Sequence, residues 1–204
     1  MKALAAGIAA LSFVTLGLAS NAEATPIIFT AELSGPNESP PNASPGFGFA
    51  QVDFDFTAGT MRVRVTFGGL TSGNTASHIH CCTAVPFTGT AGVATTTPTF
   101  TGFPGGTTSG NYDHTFDMTL ASSYNPAFIA SAFDLTHDAI GAETAIYNAM
   151  LLGETYLNIH TTNVPGGEIR GFLRTVPEPS TIALFGVGLL SIFGLGMMRR
   201  RGEA

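Results

Sequence analysis

From Val52 to Phe67 the chain alternates apolar and charged residues with a period of two, and this is the feature that most restricts its fold. Val52, Phe54 and Phe56 alternate with Asp53 and Asp55; beyond Thr57–Thr60, Met61, Val63, Val65 and Phe67 alternate with Arg62 and Arg64. Successive side chains of a strand point to opposite faces, so this pattern predicts two half-buried strands joined by a tight turn. With Ala58 and Gly59 as a two-residue tip, Phe56 faces Met61, Asp55 faces Arg62, Phe54 faces Val63 and Asp53 faces Arg64. Both charge pairs then match across the wet face and set the register. A catalytic reading of the two aspartates is the less economical one.

The same signals recur along the chain. Ile27–Leu33 reads as a first strand, and the Pro, Asn and Ser cluster Ser34–Pro45 as a loop. Thr75–His80, Tyr112–Leu120, Thr155–Thr161 and Glu168–Arg174 read as further strands. Thr83–Gly110, dense in Thr, Gly and Pro, reads as a long excursion with some short strand. One helix is expected over Asp138–Leu152, capped by Asp138, ended by Gly153, with Ile140, Ile146, Ala149 and Met150 as its apolar face. The predicted fold class is all-β, a Greek-key sandwich or barrel with one helical insertion.

Both ends carry address signals. Lys2, an apolar stretch and then Ala22 and Ala24 in A-x-A spacing predict a signal peptide over residues 1–24. Thr181–Met198 is apolar and uncharged, about the minimum for a membrane-spanning helix, and Arg199, Arg200 and Arg201 would hold its end in the cytoplasm. Pro177, Glu178 and Pro179 stand just before it. Pro-Glu-Pro, apolar span and arginine cluster resemble the PEP-CTERM sorting signal. The resemblance implies cutting near Pro177–Pro179 by an exosortase, a membrane-embedded protease or transpeptidase, with transient anchoring in the inner membrane. It also implies a Gram-negative, exopolysaccharide-making host and a cell-envelope, surface or matrix location.

Residues 25–176 are enough for one domain with a real core. They hold four arginines, no lysine and eleven carboxylates, a formal charge of minus seven. That surface repels nucleic acid, whose binding needs clustered cations. No acidic calcium loop and no G-x-S-x-G elbow occurs. The adjacent Cys81 and Cys82 leave open a vicinal or intermolecular disulfide, a pair of thiols, or a metal role beside His78 and His80.

The chemistry-bearing segments are Ala76-Ser77-His78-Ile79-His80 and Tyr156-Leu157-Asn158-Ile159-His160-Thr161. On strands, His78 and His80 share a face, as do Asn158 and His160, and as do Glu168 and Arg170. Three imidazoles from two strands would suit copper or zinc. The alternative is a hydrogen-bonded polar cluster of His and Asn closed by a Glu168–Arg170 pair.

Ala31-Glu32-Leu33-Ser34-Gly35, then Gly69-Leu70 leading into the His-x-His strand, then Gly153–Thr161 and Pro165-Gly166-Gly167-Glu168-Ile169-Arg170-Gly171 resemble the CHRD domain. The resemblance spans nearly all of residues 25–176 and implies an immunoglobulin-like or related β domain without an established catalytic activity. The His-x-His strand and late-strand histidine are also similar to copper/zinc superoxide dismutase. Carried over, His78, His80 and His160 match copper positions, whereas His114 and His137 lack the spacing of its bridging histidine. The expected function is therefore a non-enzymatic binding or structural module of the envelope, with exosortase and exopolysaccharide as partners. The alternative is a copper- or zinc-binding redox protein, with Asn158, Glu168 and Arg170 supporting the histidines.

Overall fold

The period-two segment forms two strands, β2 (Phe47–Asp55) and β3 (Thr60–Gly68), in the computed structural model. The structure describes residues 25–131, 133 and 135–176; the signal peptide, the Pro-Glu-Pro motif and the apolar span expected from the sequence lie outside them. The other strands are β1 (Ile27–Ser34), β4 (Asn74–His80), β5 (Gly110–Asp117), β6 (Tyr156–Thr161), β7 (Ile169–Phe172) and the short β8 (Arg174–Thr175). They make one antiparallel sheet in the order β4-β6-β7-β1-β2-β3-β5, with β8 on β1. The all-β expectation holds, as a sheet curled into a half-barrel around one core.

Alternation explains the core. Phe29, Val52, Phe54, Met61, Val63, Ile79, Leu157, Ile159 and Ile169 all turn to one side of the sheet and are buried. The excursion of residues 83–109 lies along the edge at β4, where Ala94 N–H donates to Ile79 O (3.0 Å) and Phe100 N–H to Ser77 O (3.0 Å). Phe100 stacks on Tyr112 of β5, ring centroids 5.8 Å apart. One segment therefore satisfies the backbone of one sheet edge and packs against the strand at the other, hiding groups that an open edge would expose. Cys81 and Cys82, just after β4, are joined in a vicinal disulfide, which decides among the three alternatives.

A short helix, α1 (Pro126–Ile129), precedes the expected one, α2 (Ala139–Leu152). Asp138 caps α2 by accepting from Gly141 N–H (2.8 Å), and Gly153 ends it with φ 74°, a conformation that glycine adopts at least cost. Its buried face is Ala142, Glu143, Ile146, Ala149 and Met150. Ile140, expected there, is 68% exposed, because at about 100° per residue it falls about 120° from Ile146, off the stripe on which Ala139 packs against the core. Among the described residues no helix is long and apolar enough to cross a membrane.

The hairpin register differs from the expected one. Phe54 faces Met61 and Asp53 faces Arg62, around a four-residue loop, Phe56–Gly59. Asp55 Oδ1 accepts from Thr57 N–H and Ala58 N–H (3.0 and 2.8 Å), so the aspartate builds the turn and does not pair with Arg62. Phe56 leaves the ladder to stack on Tyr147 (4.9 Å). Arg62 pairs instead with Asp113 of β5 (2.6 Å), while Arg64 does reach Asp53 (2.5 Å), diagonally across the strands.

Candidate metal centre

The histidines follow from strand pairing. β4 and β6 are antiparallel neighbours in which Ala76 faces His160, His78 faces Asn158 and His80 faces Tyr156. With Ile79, Leu157 and Ile159 directed into the core, the residues between them turn to the opposite face. That face is a wet surface in many antiparallel sheets. Here His78 and His80 are buried and His160 is half-buried, because loops carrying Ala91, Pro98 and Pro165 lie over it.

Each of those loops supplies one backbone carbonyl to one ring. His78 Nε2 lies 2.5 Å from Pro98 O, His80 Nδ1 3.0 Å from Ala91 O, and His160 Nδ1 2.9 Å from Pro165 O. A carbonyl only accepts, so the nitrogen facing it carries the proton. The other nitrogen of each neutral ring, Nδ1 of His78 and Nε2 of His80 and of His160, then bears a lone pair. All three of these atoms are buried without a hydrogen-bond partner. Each residue offers one ring nitrogen to a set lying within 4.8 Å of one another, and the ring centroids are 5.3–5.9 Å apart. Nitrogens at about 2.0–2.1 Å from a tetrahedral ion are about 3.3 Å apart, so small ring movements would close the set on one ion.

Burial lowers the pKa of all three rings. Desolvation outweighs the carbonyl hydrogen bond in each and brings His80 down to about 4. The neutral form, which carries a lone pair for a metal, is therefore the stable one at neutral pH.

The neighbouring groups only partly match the sequence expectation. Asn158 stands in the row between His78 and Arg170, with its Oδ1 buried and unpartnered. Arg170 is buried too, but it does not pair with Glu168. Its Nε donates to Asn37 O (2.6 Å), its Nη1 to Gly89 O (3.0 Å), and its nearest carboxylate is Glu38, at 3.7 Å. Glu168 precedes β7 and accepts from Ser44 Oγ (2.6 Å), Thr71 N–H (2.7 Å) and Thr161 Oγ1 (2.5 Å). Burial works to raise its pKa, but these bonds prevail and lower it. It is a cross-brace between loops, away from the imidazoles. The glycines before and within β7 are steric: a Cβ on Gly167, φ 128°, would come within 2.5 Å of Asn158.

Two participants escaped the sequence reading. Tyr156 lies flat on His80, centroids 4.7 Å apart and planes 7° from parallel, and its hydroxyl donates to the Ala91 carbonyl that also receives His80. Its parity with Asn158 and His160 was the available signal. Glu38, in the Pro-rich loop, gives none. Desolvation raises its pKa to about 7 against the opposing pull of Arg170. His114 and His137 lie outside the cluster.

A model of the CHRD domain matches residues 29–173. The chain belongs to the CHRD domain family. A PEP-CTERM protein-sorting motif matches residues 175–201, so the address follows the CHRD domain almost without a gap. The CHRD domain is thus the cargo of an exported, exosortase-processed envelope protein. No curated protein matches the chain, and neither does any solved structure.

Proposed function

We propose that this exported CHRD domain is an extracellular metal-binding module that holds one copper or zinc ion through His78, His80 and His160. The observation that carries the reading is the set of three buried ring nitrogens without partners, each belonging to a ring whose other nitrogen faces a backbone carbonyl. Metal-bound histidines characteristically have their second nitrogen held in this way. A self-contained polar cluster would leave these nitrogens hydrogen-bonded to one another or to Asn158; here all three lone pairs are unused, which costs free energy in a buried site. An ion held by three neutral imidazoles would retain an open position and act as a Lewis acid, and copper could also exchange electrons. The protein's own part is to hold the rings, fix their tautomers and keep them neutral. Exosortase remains the processing partner, and the span of residues 181–198 the transient anchor, in this reading.

Titrating metal-free protein with zinc and copper, followed by gel filtration and elemental analysis, tests it. About one ion per chain is expected for wild type and for His137→Ala, and none for His80→Ala. Protons compete for the same lone pairs, so affinity falls with pH. Because the three pKa values are lowered, the fall sets in below the usual imidazole value of about 6.5. Empty wild-type protein at neutral pH contradicts the proposal, and equal binding by His80→Ala contradicts the ligand assignment.

A further inference from the structure

Helix α2 lies across the end of the sheet from which the chain departs toward its sorting motif. Val176 N–H donates to Ile28 O (2.8 Å), which holds the last described residue beside the start of β1. Ile27 there faces Phe54, just before the β2–β3 loop. α2 meets each of these parts. Glu143 Oε1 lies 3.8 Å from where a Cβ on Gly59 of the loop would stand, the Tyr147 ring meets Phe54 and Phe56 at 5.2 and 4.9 Å, and the helix lies against β8. Helices at the surface of a globular domain turn charged and polar residues outward. The exposed residues of α2 are Ile140, Thr144, Asn148, Leu151 and Leu152, within a sector of about 120°, and none is charged. Its one charged residue, Glu143, is turned inward. Ile140, Leu151 and Leu152 are 68%, 43% and 58% exposed, and Phe56, stacked on Tyr147, adds a further exposed ring. Contiguous apolar surface of this kind marks a place of contact.

Chain length decides what it touches. Only residues 177–180 separate Val176 from the apolar run that begins at Thr181. Fully extended, the chain from Val176 to Thr181 spans at most about 18 Å. A lipid headgroup layer takes up about 5–7 Å of that distance. The remainder, about 12 Å, is one helix diameter and too little for a second copy of the domain. We infer that, while residues 181–198 anchor the chain, a reading on which this depends, α2 lies on the bilayer with Ile140, Leu151 and Leu152 among the lipid headgroups. Helices that lie in a membrane interface present one apolar face to lipid and a polar face to water. α2 needs no polar face, because its other side is packed on the domain's own core. The contact holds the domain against the membrane beside the Pro177–Pro179 processing site, and it involves none of the clustered histidines.

The test uses the full-length exported chain, uncut at Pro177–Pro179, reconstituted into phosphatidylcholine vesicles. Zwitterionic lipid suffices, because the domain's excess of carboxylates over arginines gives it no attraction to anionic lipid. A fluorophore is attached to Ile140→Cys, Leu152→Cys or Phe47→Cys, the native cysteines being joined in their disulfide, and its quenching by lipid carrying a headgroup nitroxide is measured. Phe47 is 62% exposed at the far end of β2, about 26 Å along the strand from Asp55. Quenching at Ile140→Cys and at Leu152→Cys should exceed that at Phe47→Cys several-fold, and adding Leu151→Asp should reduce it at both. Chain that alkaline carbonate washes out of the vesicles overturns the anchor reading and the inference with it. Retained chain that is quenched alike at all three positions overturns the inference alone. So does retained chain that a bifunctional thiol reagent joins copy to copy through Leu152→Cys without lipid quenching there, which assigns the face to a second copy.

Discussion

At the scale of single residues, the candidate site is governed by what burial does to ionisable groups. His78, His80 and His160 are kept neutral by desolvation, and Glu38 is pushed toward protonation by the same cause, to about 7. The two effects have opposite signs in folding. The histidines bind fewer protons folded than unfolded, so their contribution is lost as pH falls below the usual imidazole range. Glu38 binds more protons folded than unfolded, so its contribution is complete below its ordinary 4.5 and is lost as pH rises through about 7. Comparing Glu38→Gln with wild type isolates the second term, because the histidines are common to both. Thermal melts of the two proteins at a series of pH values should show the wild-type advantage shrinking from pH 4.5 to 7 and levelling above it. An advantage that grows over that interval would mean that Glu38 is charged in the folded protein and held by Arg170.

At the scale of elements, strands were legible because period two is a local property, whereas pairing depends on turns and partners that the pattern does not contain. Val52–Phe67 announced two strands, yet the register turned on Asp55 capping a four-residue loop, with Arg62 drawn to Asp113 on β5. Nothing in the hairpin itself named that partner. Double-mutant cycles should therefore find coupling of about 0.2–1 kcal/mol between Asp53 and Arg64 and no measurable coupling between Asp55 and Arg62. The reverse result would restore a two-residue turn. Helix α2 was the most readable element, since Asp138 and Gly153 mark its ends by chemistry that acts within a few residues. Its face was misassigned at Ile140, which is about 120° round the helix from Ile146 and so off the buried stripe, where Ala139 stands in its place.

At the scale of the whole molecule, the His-x-His of β4 and the Asn-x-His of β6 could be placed on common faces from parity, but not the loops that cover them. The excursion of residues 83–109 has no periodicity to read, and it provides the Ala91 and Pro98 carbonyls that orient two rings. Glu38 lies far along the chain from Arg170, in a loop whose composition suggested only irregular backbone. The sorting motif that follows the CHRD domain marks this arrangement for export and processing at the cell envelope. The most direct measurement is X-ray absorption spectroscopy at the zinc and copper edges on protein loaded with one equivalent of each metal and freed of excess by gel filtration. The account predicts a shell containing three imidazole nitrogens at about 2.0–2.1 Å for zinc, lost in His80→Ala. A shell of carboxylate oxygens, fewer than three imidazoles, or no metal retained by wild type would contradict it.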